Sequence, residues 1–341
     1  MHFIASATLK RYDLRGLLER WEAHGSGDDP FASIILTPLP GLSQRTTVSY
    51  VRQNFVGRSR IWFDSGGYFV QQGEITYEAL YGRLLEWYSN PDNLWADVYV
   101  LPDYVPSSDL SDDEVEARIR ATIAVTRLFC SELPAEVRRK ALPVAQGRTR
   151  EQIRACVETY LDLGYTAIGF GSFDTTGAGK DINVLTRRAL GNLEFLQDLA
   201  ERFGFRTHAF GVGTPALIPT LYELGVSSFD SSCWIRTAGF GNVLLPFLGR
   251  RNVSHGMLKE VGGAAYSVKS FTELKESTGH ACSFCASFER LQKDRLDQAM
   301  HNLIVIRDTV AALERGLDTL SPFLRNVIRN SRYAHLKASK T

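Results

Sequence analysis

Arg206-Thr207-His208-Ala209-Phe210-Gly211-Val212-Gly213-Thr214-Pro215 reads as a buried strand opening into a glycine turn, since a short β-prone run gives way to residues that permit tight reversal. A helix over 215–224 carries the chain back. Ser227-Ser228-Phe229-Asp230-Ser231-Ser232 is then the next strand, and it delivers a carboxylate, Asp230, at its end. Strand, turn, helix, strand is one β/α unit. The rest of the chain decides how many such units there are.

Working outward, similar units recur. Ala32-Ser33-Ile34-Ile35-Leu36 is an apolar run closed by Pro38, and Arg60-Ile61-Trp62-Phe63 stops at Asp64-Ser65-Gly66-Gly67. Helical spacing follows over 76–87. Trp95-Ala96-Asp97-Val98-Tyr99-Val100-Leu101 stops at Pro102-Asp103, ahead of a helix over 111–129 with a Ser cap and an acidic first turn. Leu142-Pro143-Val144-Ala145 stops at Gln146-Gly147, and a helix over 150–163 ends at Gly164. Ala167-Ile168-Gly169-Phe170 stops at Gly171-Ser172, and a helix over 184–203 leads to the strand quoted first.

Seven such units without long gaps predict an α/β chain folded as a (β/α)8 TIM-type barrel, with a doubly wound sheet as the alternative. In a barrel the C-terminal strand ends share one face, so Asp64, Asp103, Gln146, Gly171 and Asp230 are the candidate site residues. The expected division is an N-terminal extension over 1–30, a barrel over 31–270, and, over 271–341, a subdomain with a final helix and basic tail whose His280, Cys282, Cys285 and His301 make it zinc-binding. The first 30 residues are mixed and close on the turn-rich Gly25-Ser26-Gly27-Asp28-Asp29-Pro30.

At 341 residues the chain can bury a large core. Its 39 basic and 38 acidic residues balance, so bulk charge neither selects nor excludes a polyanionic partner. No apolar run is long enough to span a bilayer. The start of the chain lacks a basic region followed by an apolar block, so secretion is not expected. Five cysteines are an odd number, and Cys130, Cys156 and Cys233 are scattered, which suits a reducing, cytoplasmic setting.

His280-Ala281-Cys282-Ser283-Phe284-Cys285 precedes an amphipathic helix carrying His301. Cys-x-x-Cys lets two thiolates share a tetrahedral ion, and His280 and His301 complete the set. Four filled positions make the expected Zn2+ structural rather than catalytic. A zinc knuckle also suits a non-catalytic nucleic-acid-binding protein, which stays open as a reading.

Together these residues resemble the tRNA-guanine transglycosylase superfamily over roughly 30–305. Its Asp-Ser-Gly-Gly turn is matched by Asp64 to Gly67, and its Val-Gln-Gly turn is resembled by Val144-Ala145-Gln146-Gly147. Its Gly-Val-Gly-Thr-Pro segment is matched by Gly211 to Pro215, ahead of a Phe-Asp nucleophile matched by Phe229-Asp230 and a following Arg matched by Arg236. Departures are equally specific. Gly67-Tyr68-Phe69 stands where members have Gly-Phe-Gln, His280 replaces the first zinc cysteine, and the cysteine that often follows the base-reading Asp is absent after Asp103. Archaeal-type C-terminal RNA-binding domains are not expected. The divergence resembles the DNA-acting branch, which exchanges guanine for a 7-deazaguanine such as 7-cyano-7-deazaguanine (preQ0).

The resemblance implies a retaining-glycosidase logic: Asp230 attacks the sugar and Asp64 shuttles protons. Asp103 would accept from N1 and the 2-amino group of guanine, Gln146 would reach O6, and Gly171 and Ser172 the 7-substituent. Ser65 belongs to the same pocket, and Tyr68 and Phe210 would sandwich the ring. Duplex DNA would have to release its base from the stack. Arg236, Arg250 and Arg251 are the phosphate candidates, with the basic tail from Arg325 to Lys340. Expected partners are nucleic acid, DNA ahead of tRNA, and the deazaguanine base; a partner protein and a second copy of the chain are further candidates. An unrelated barrel enzyme with a phosphate-binding Gly211-Val212-Gly213-Thr214 loop is the remaining alternative.

Overall fold

The computed structural model describes residues 1–39, 41, 45–107, 109–176, 182–253 and 267–334. In chain order the first half comprises β1 (His2–Ser6), α1 (Arg11–His24), β2 (Ser33–Leu36), α2 (Arg45–Phe55), β3 (Arg60–Phe63), α3 (Gly67–Gln71), α4 (Tyr77–Ser89), β4 (Val98–Val100), α5 (Asp112–Glu132), α6 (Ala135–Arg139), β5 (Ala141–Leu142), β6 (Val144–Ala145) and α7 (Arg150–Asp162). The second half comprises β7 (Ala167–Phe170), β8 (Asp174–Thr176), β9 (Ile182–Val184), α8 (Arg187–Phe203), β10 (Arg206–Ala209), α9 (Ile218–Glu223), β11 (Ser228–Ser231), α10 (Cys233–Gly239), β12 (Asn242–Val243), β13 (Arg251–Asn252), α11 (Val268–Thr278), α12 (Phe288–Lys293), α13 (Arg295–Glu314) and α14 (Pro322–Arg329).

Pro143 has no N–H to give and separates β5 from β6; its carbonyl still accepts from Gly169 N at 2.8 Å. Counted as one interrupted strand, this pair joins β1, β2, β3, β4, β7, β10 and β11 in an eight-strand alternation with helices. The fold is α/β of the TIM-type (β/α)8 class. Within the expected N-terminal extension, His2–Ser6 and Arg11–His24 form β1 and α1.

The chain divides into two compact units, Ser33–Gly211 with Val226–Ser228, and Met1–Ala32 with Val212–Gly225 and Phe229–Thr341. In the first, parallel pairing runs from β2 to β3, β4 and β5, and from β6 to β7 and β10, in registers such as Leu36 opposite Phe63 and Ala145 opposite Phe170. β2, β3, β4 and β7 are short and rich in Ile, Leu, Val and aromatic residues, as strands buried on both faces require. Phe63, Tyr88 and Tyr99 pack against one another, with the Tyr88 hydroxyl donating to Val100 O at 2.9 Å. Helix starts are set by side chains: Ser111 with Glu114, and Thr149 with Gln152, form reciprocal capping boxes. Each reverses the chain after a strand end that carries a candidate site residue.

The second unit is built around α13, a helix buried along much of its length from Asp297 to Leu313. Asn302 on this helix accepts from Leu244 N at 2.7 Å and donates to the carbonyls of Trp234 and Asn242, both at 3.1 Å. One buried amide thereby ties α10, β12 and α13 together. Arg20 of α1 reaches Asp294 at 2.6 Å and Asp297 at 3.1 Å, anchoring the N-terminal helix to the same element. Among the described residues no helix is long and apolar enough to cross a membrane.

Candidate functional site

In the first unit, four strand ends contribute to one hydrogen-bonded chain. Ser65 Oγ donates to Asp103 Oδ1 at 3.1 Å, and Gln146 Nε2 donates to Asp103 Oδ2 at 2.5 Å. Ser172 Oγ donates to Gln146 Oε1 at 2.5 Å and itself accepts from Gly147 N at 2.6 Å. Ser65, Asp103 and Gln146 are all buried. Burial raises the Asp103 carboxyl above its usual value, while the bonds from Gln146 and Ser65 pull it back. The result is a carboxylate with each oxygen oriented by a neutral donor, Ser65 on one and Gln146 on the other. Such a group can accept further N–H donors from a ligand.

Two glycines make the arrangement possible. Gly66 sits at φ 78° as the α3 N-cap, a left-handed turn that suits glycine and brings Ser65 and Gly67 beside the carboxylate. A Cβ on Gly171 would lie 2.4 Å from Gln146 Nε2 and 3.2 Å from Val144 Cγ1, so glycine there is required for the amide to reach Asp103.

Asp64 follows β3 directly. Its N–H donates to Leu36 O at 2.9 Å and its Oδ2 accepts from Thr37 Oγ1 at 3.2 Å. Tyr68 lies on α3, 45% exposed, with its ring edge-on to Phe69 at 5.6 Å. Phe210 lies across Gly169, where a Cβ would stand 2.2 Å from its ring, and against the His208 imidazole at 4.4 Å. His208, unmarked in the sequence, bonds Ser228 Oγ at 2.9 Å and contacts Trp62 at 4.8 Å.

In the second unit, Asp230 lies in β11, buried at 8% exposure. The residues after it turn at once into α10: Ser231 Oγ accepts from Cys233 N at 3.1 Å, and Cys233 Sγ meets Gly213 O at 3.1 Å. Gly213 has φ 149°, and a Cβ there would lie 2.5 Å from the Phe229 ring. The turn at Gly213 is therefore packed against the strand that bears Asp230. Arg236 is exposed on α10, and Arg250 and Arg251 are exposed around the start of β13. Of the basic tail, Arg325, Arg329 and Arg332 are described, whereas Lys337 and Lys340 lie outside the described residues.

His280, Cys282, Cys285 and His301 also come together in this unit, with their donor atoms all within 4.8 Å of one another. Cys282 and Cys285 Sγ are 3.4 Å apart, His280 Nε2 is 3.3 Å from His301 Nδ1, and Cys282 Sγ is 3.5 Å from His301 Nδ1. The outer nitrogens are already engaged: His280 Nδ1 with Asp308 at 2.8 Å, and His301 Nε2 with Leu244 O at 2.8 Å. That pattern fixes both tautomers so that the inward nitrogens offer lone pairs, as metal-binding imidazoles require. Apolar packing from Val243, Leu245, Phe271 and Leu291 surrounds Cys285. The cluster can bind a metal ion. Asp308 went unnoticed in the sequence, although it lies seven residues, two helical turns, beyond His301.

Residues 89–315 match the model of a family described as queuine tRNA-ribosyltransferase. Over 263 residues the chain is 24% identical to a protein named tRNA-guanine(15) transglycosylase from Aeropyrum pernix. That alignment covers 74% of this chain and 45% of the relative, so the chain spans less than half the relative's length. Asp103, Gln146, Gly171, Phe210, Asp230 and the His/Cys cluster fall inside the family match, and Asp64 falls before it.

Proposed function

Because the chain belongs to the queuine tRNA-ribosyltransferase family, we propose that it exchanges guanine for a 7-deazaguanine such as preQ0 in a nucleic acid, with DNA as the acceptor. The observation that carries the base-exchange reading is the buried Ser65–Asp103–Gln146–Ser172 chain. A carboxylate oriented on both oxygens suits the paired N1–H and 2-amino donors shared by guanine and its 7-deaza analogues. Adenine offers no such pair of donors on that edge.

An Asp230 oxygen forms a bond to C1′ as the C1′–N9 bond breaks, its electron pair leaving on N9. Asp64, as general acid, supplies the proton that neutralises departing guanine, and then takes the N9 proton of the incoming deazaguanine. The new N9–C1′ bond releases Asp230 as carboxylate. Ser65 and Gln146 hold Asp103 on the base edge, Gln146 and Ser172 adjoin O6 and the 7-position, and Tyr68 and Phe210 supply aromatic faces.

DNA is favoured by the departures from the tRNA-acting pattern at Tyr68-Phe69 and His280. The name of the Aeropyrum pernix relative favours tRNA, which is the second reading. Arg236, Arg250 and Arg251 are assigned to backbone phosphates in either case.

The metal is proposed to be a structural Zn2+ held by His280, Cys282, Cys285 and His301. Zinc–ligand bonds of about 2.0–2.3 Å give tetrahedral edges of roughly 3.3 Å between nitrogens and 3.6–3.8 Å where sulfur is involved. The separations of 3.3, 3.4 and 3.5 Å are close to those edges. Bound there, the ion would cross-link the segment around Cys282 to α13.

The test is trapping. Wild-type protein denatured during turnover should carry a nucleic-acid adduct on the peptide containing Asp230, and Asp230→Asn should bind nucleic acid without forming it. An adduct on another residue, or none with base exchange intact, would overturn the assignment.

A further inference from the structure

Four consecutive residues around Asp103 are each pinned by a different group. Pro102 O accepts from the Tyr77 hydroxyl of α4 at 3.2 Å. Asp103 is held by Ser65 and Gln146. Tyr104 N donates to Thr122 Oγ1 of α5 at 2.9 Å, and that hydroxyl donates onward to Arg118 O at 3.0 Å. Val105 O accepts from Arg118 Nη1 at 2.7 Å. The rings reinforce the bonds. The Arg118 guanidinium lies 4.3 Å over Tyr104, which stacks on Tyr77 at 4.6 Å and 19°.

We propose that Arg118, through its stack on Tyr104, which in turn packs on Tyr77, and its bond to Val105 O, is a positioning residue that sets the angle at which Asp103 meets the base edge, and so governs discrimination for the 2-amino group. This rests on the reading of Asp103 as the base-contacting carboxylate. The segment from Pro102 to Val105 has no regular structure of its own, so its backbone direction is set by these outside contacts. Arg118 supplies two of them at once, a charge-assisted bond and a planar face, and lies on the side of the segment opposite in sequence to Tyr77's bond. Lysine cannot reproduce both, because its ammonium is a point charge without a stacking plane.

A purine lacking the 2-amino group separates alignment from mere folding. Guanine offers N1–H and the 2-amino group; hypoxanthine offers N1–H alone. A carboxylate set square to the edge accepts from both, and a site built to bond a substituent rejects the analogue without it. A tilted carboxylate keeps one bond and loses the preference. Simple loss of folded protein would weaken both ligands equally.

Dissociation constants for guanine and hypoxanthine are to be measured by equilibrium dialysis on the full chain, for wild type, Arg118→Ala, Arg118→Lys, Tyr77→Phe and Asp103→Asn. The proposal expects Arg118→Ala to weaken guanine by about tenfold while hypoxanthine shifts less than about twofold. Arg118→Lys should fall between, and Tyr77→Phe, which removes only the hydroxyl, should narrow the preference in the same sense. If Arg118→Ala does not fold, those two variants carry the test. A collapsed preference in Asp103→Asn with an unchanged one in the Arg118 and Tyr77 variants would overturn the positioning role and leave the Asp103 reading standing. An unchanged preference in Asp103→Asn would overturn that reading, and this proposal with it.

Discussion

Replacing Gly171 by alanine perturbs the candidate base site through one methyl group. The new Cβ would stand 2.4 Å from Gln146 Nε2 and 3.2 Å from Val144 Cγ1. Restoring ordinary contact of about 3.5 Å requires the amide to retreat by about 1 Å. Gln146 is fully buried, with Oε1 bound by Ser172 and Nε2 bound to Asp103, both at 2.5 Å, so a retreat of about 1 Å stretches one of these bonds past ordinary hydrogen-bonding length. Gly171 does not adopt a positive φ, so the effect is steric rather than a backbone penalty. Losing a hydrogen bond to a buried carboxylate costs about 1.5–3 kcal/mol. That corresponds to about 10- to 150-fold in guanine affinity if Asp103 must be held for binding. Guanine dissociation constants in a double-mutant cycle with Gln146→Ala read the cause directly. The Gly171→Ala loss should largely vanish once the Gln146 side chain is gone. Undiminished guanine binding in Gly171→Ala, or an equal loss in the Gln146→Ala background, refutes the reasoning.

Acid should act on the same group. Burial raises the Asp103 carboxyl above the unfolded value near 3.8, so between the two values the folded chain holds more protons than the unfolded one. Stability contributed by this group therefore rises as pH falls through the raised value, while guanine binding, which needs the carboxylate, weakens there; denaturant melts and dialysis across that window should show both slopes flattened in Asp103→Asn. Metal analysis should find one ion per chain, and chelation or Cys282→Ala should lower Tm and abolish the stoichiometry; no bound metal in freshly purified protein would contradict the cluster's role. Asp308→Ala removes the partner of His280 Nδ1 and should weaken metal binding by about 10- to 100-fold without emptying the site at saturating metal. A competition titration with a chromogenic chelator reads the shift.

The strand ends were legible because each apolar run stops at a turn-forming residue, and that punctuation is local. Asp64, Gln146 and Gly171 follow strands where the pattern puts them, and Asp230 lies in β11. The bonds among the candidate site residues were not legible: Ser65 and Asp103 are 38 positions apart, Gln146 and Asp103 are 43, and only folding brings them together. The β8–β9 hairpin was missed because its pairing of Asp174 with Val184 and Thr176 with Ile182 is made by two three-residue strands, and Val184 looked like the start of α8. The N-terminal strand His2–Ser6 was missed for a related reason. Its five residues carry no strong alternation, and Ile4 and Ala5 are buried by the fold rather than marked by the pattern. The His/Cys cluster was readable from spacing, whereas the outer partners Asp308 and Leu244 O were not, since a helical carboxylate and a backbone carbonyl carry no signature.

The central claim is base exchange through the Asp230 carboxylate, and labelled guanine supplied with either DNA or tRNA tests it most directly. Label should enter DNA with the wild-type chain and not with Asp230→Asn. Entry into tRNA alone would move the substrate to the second reading, and entry into neither, or equal incorporation by Asp230→Asn, would contradict the account.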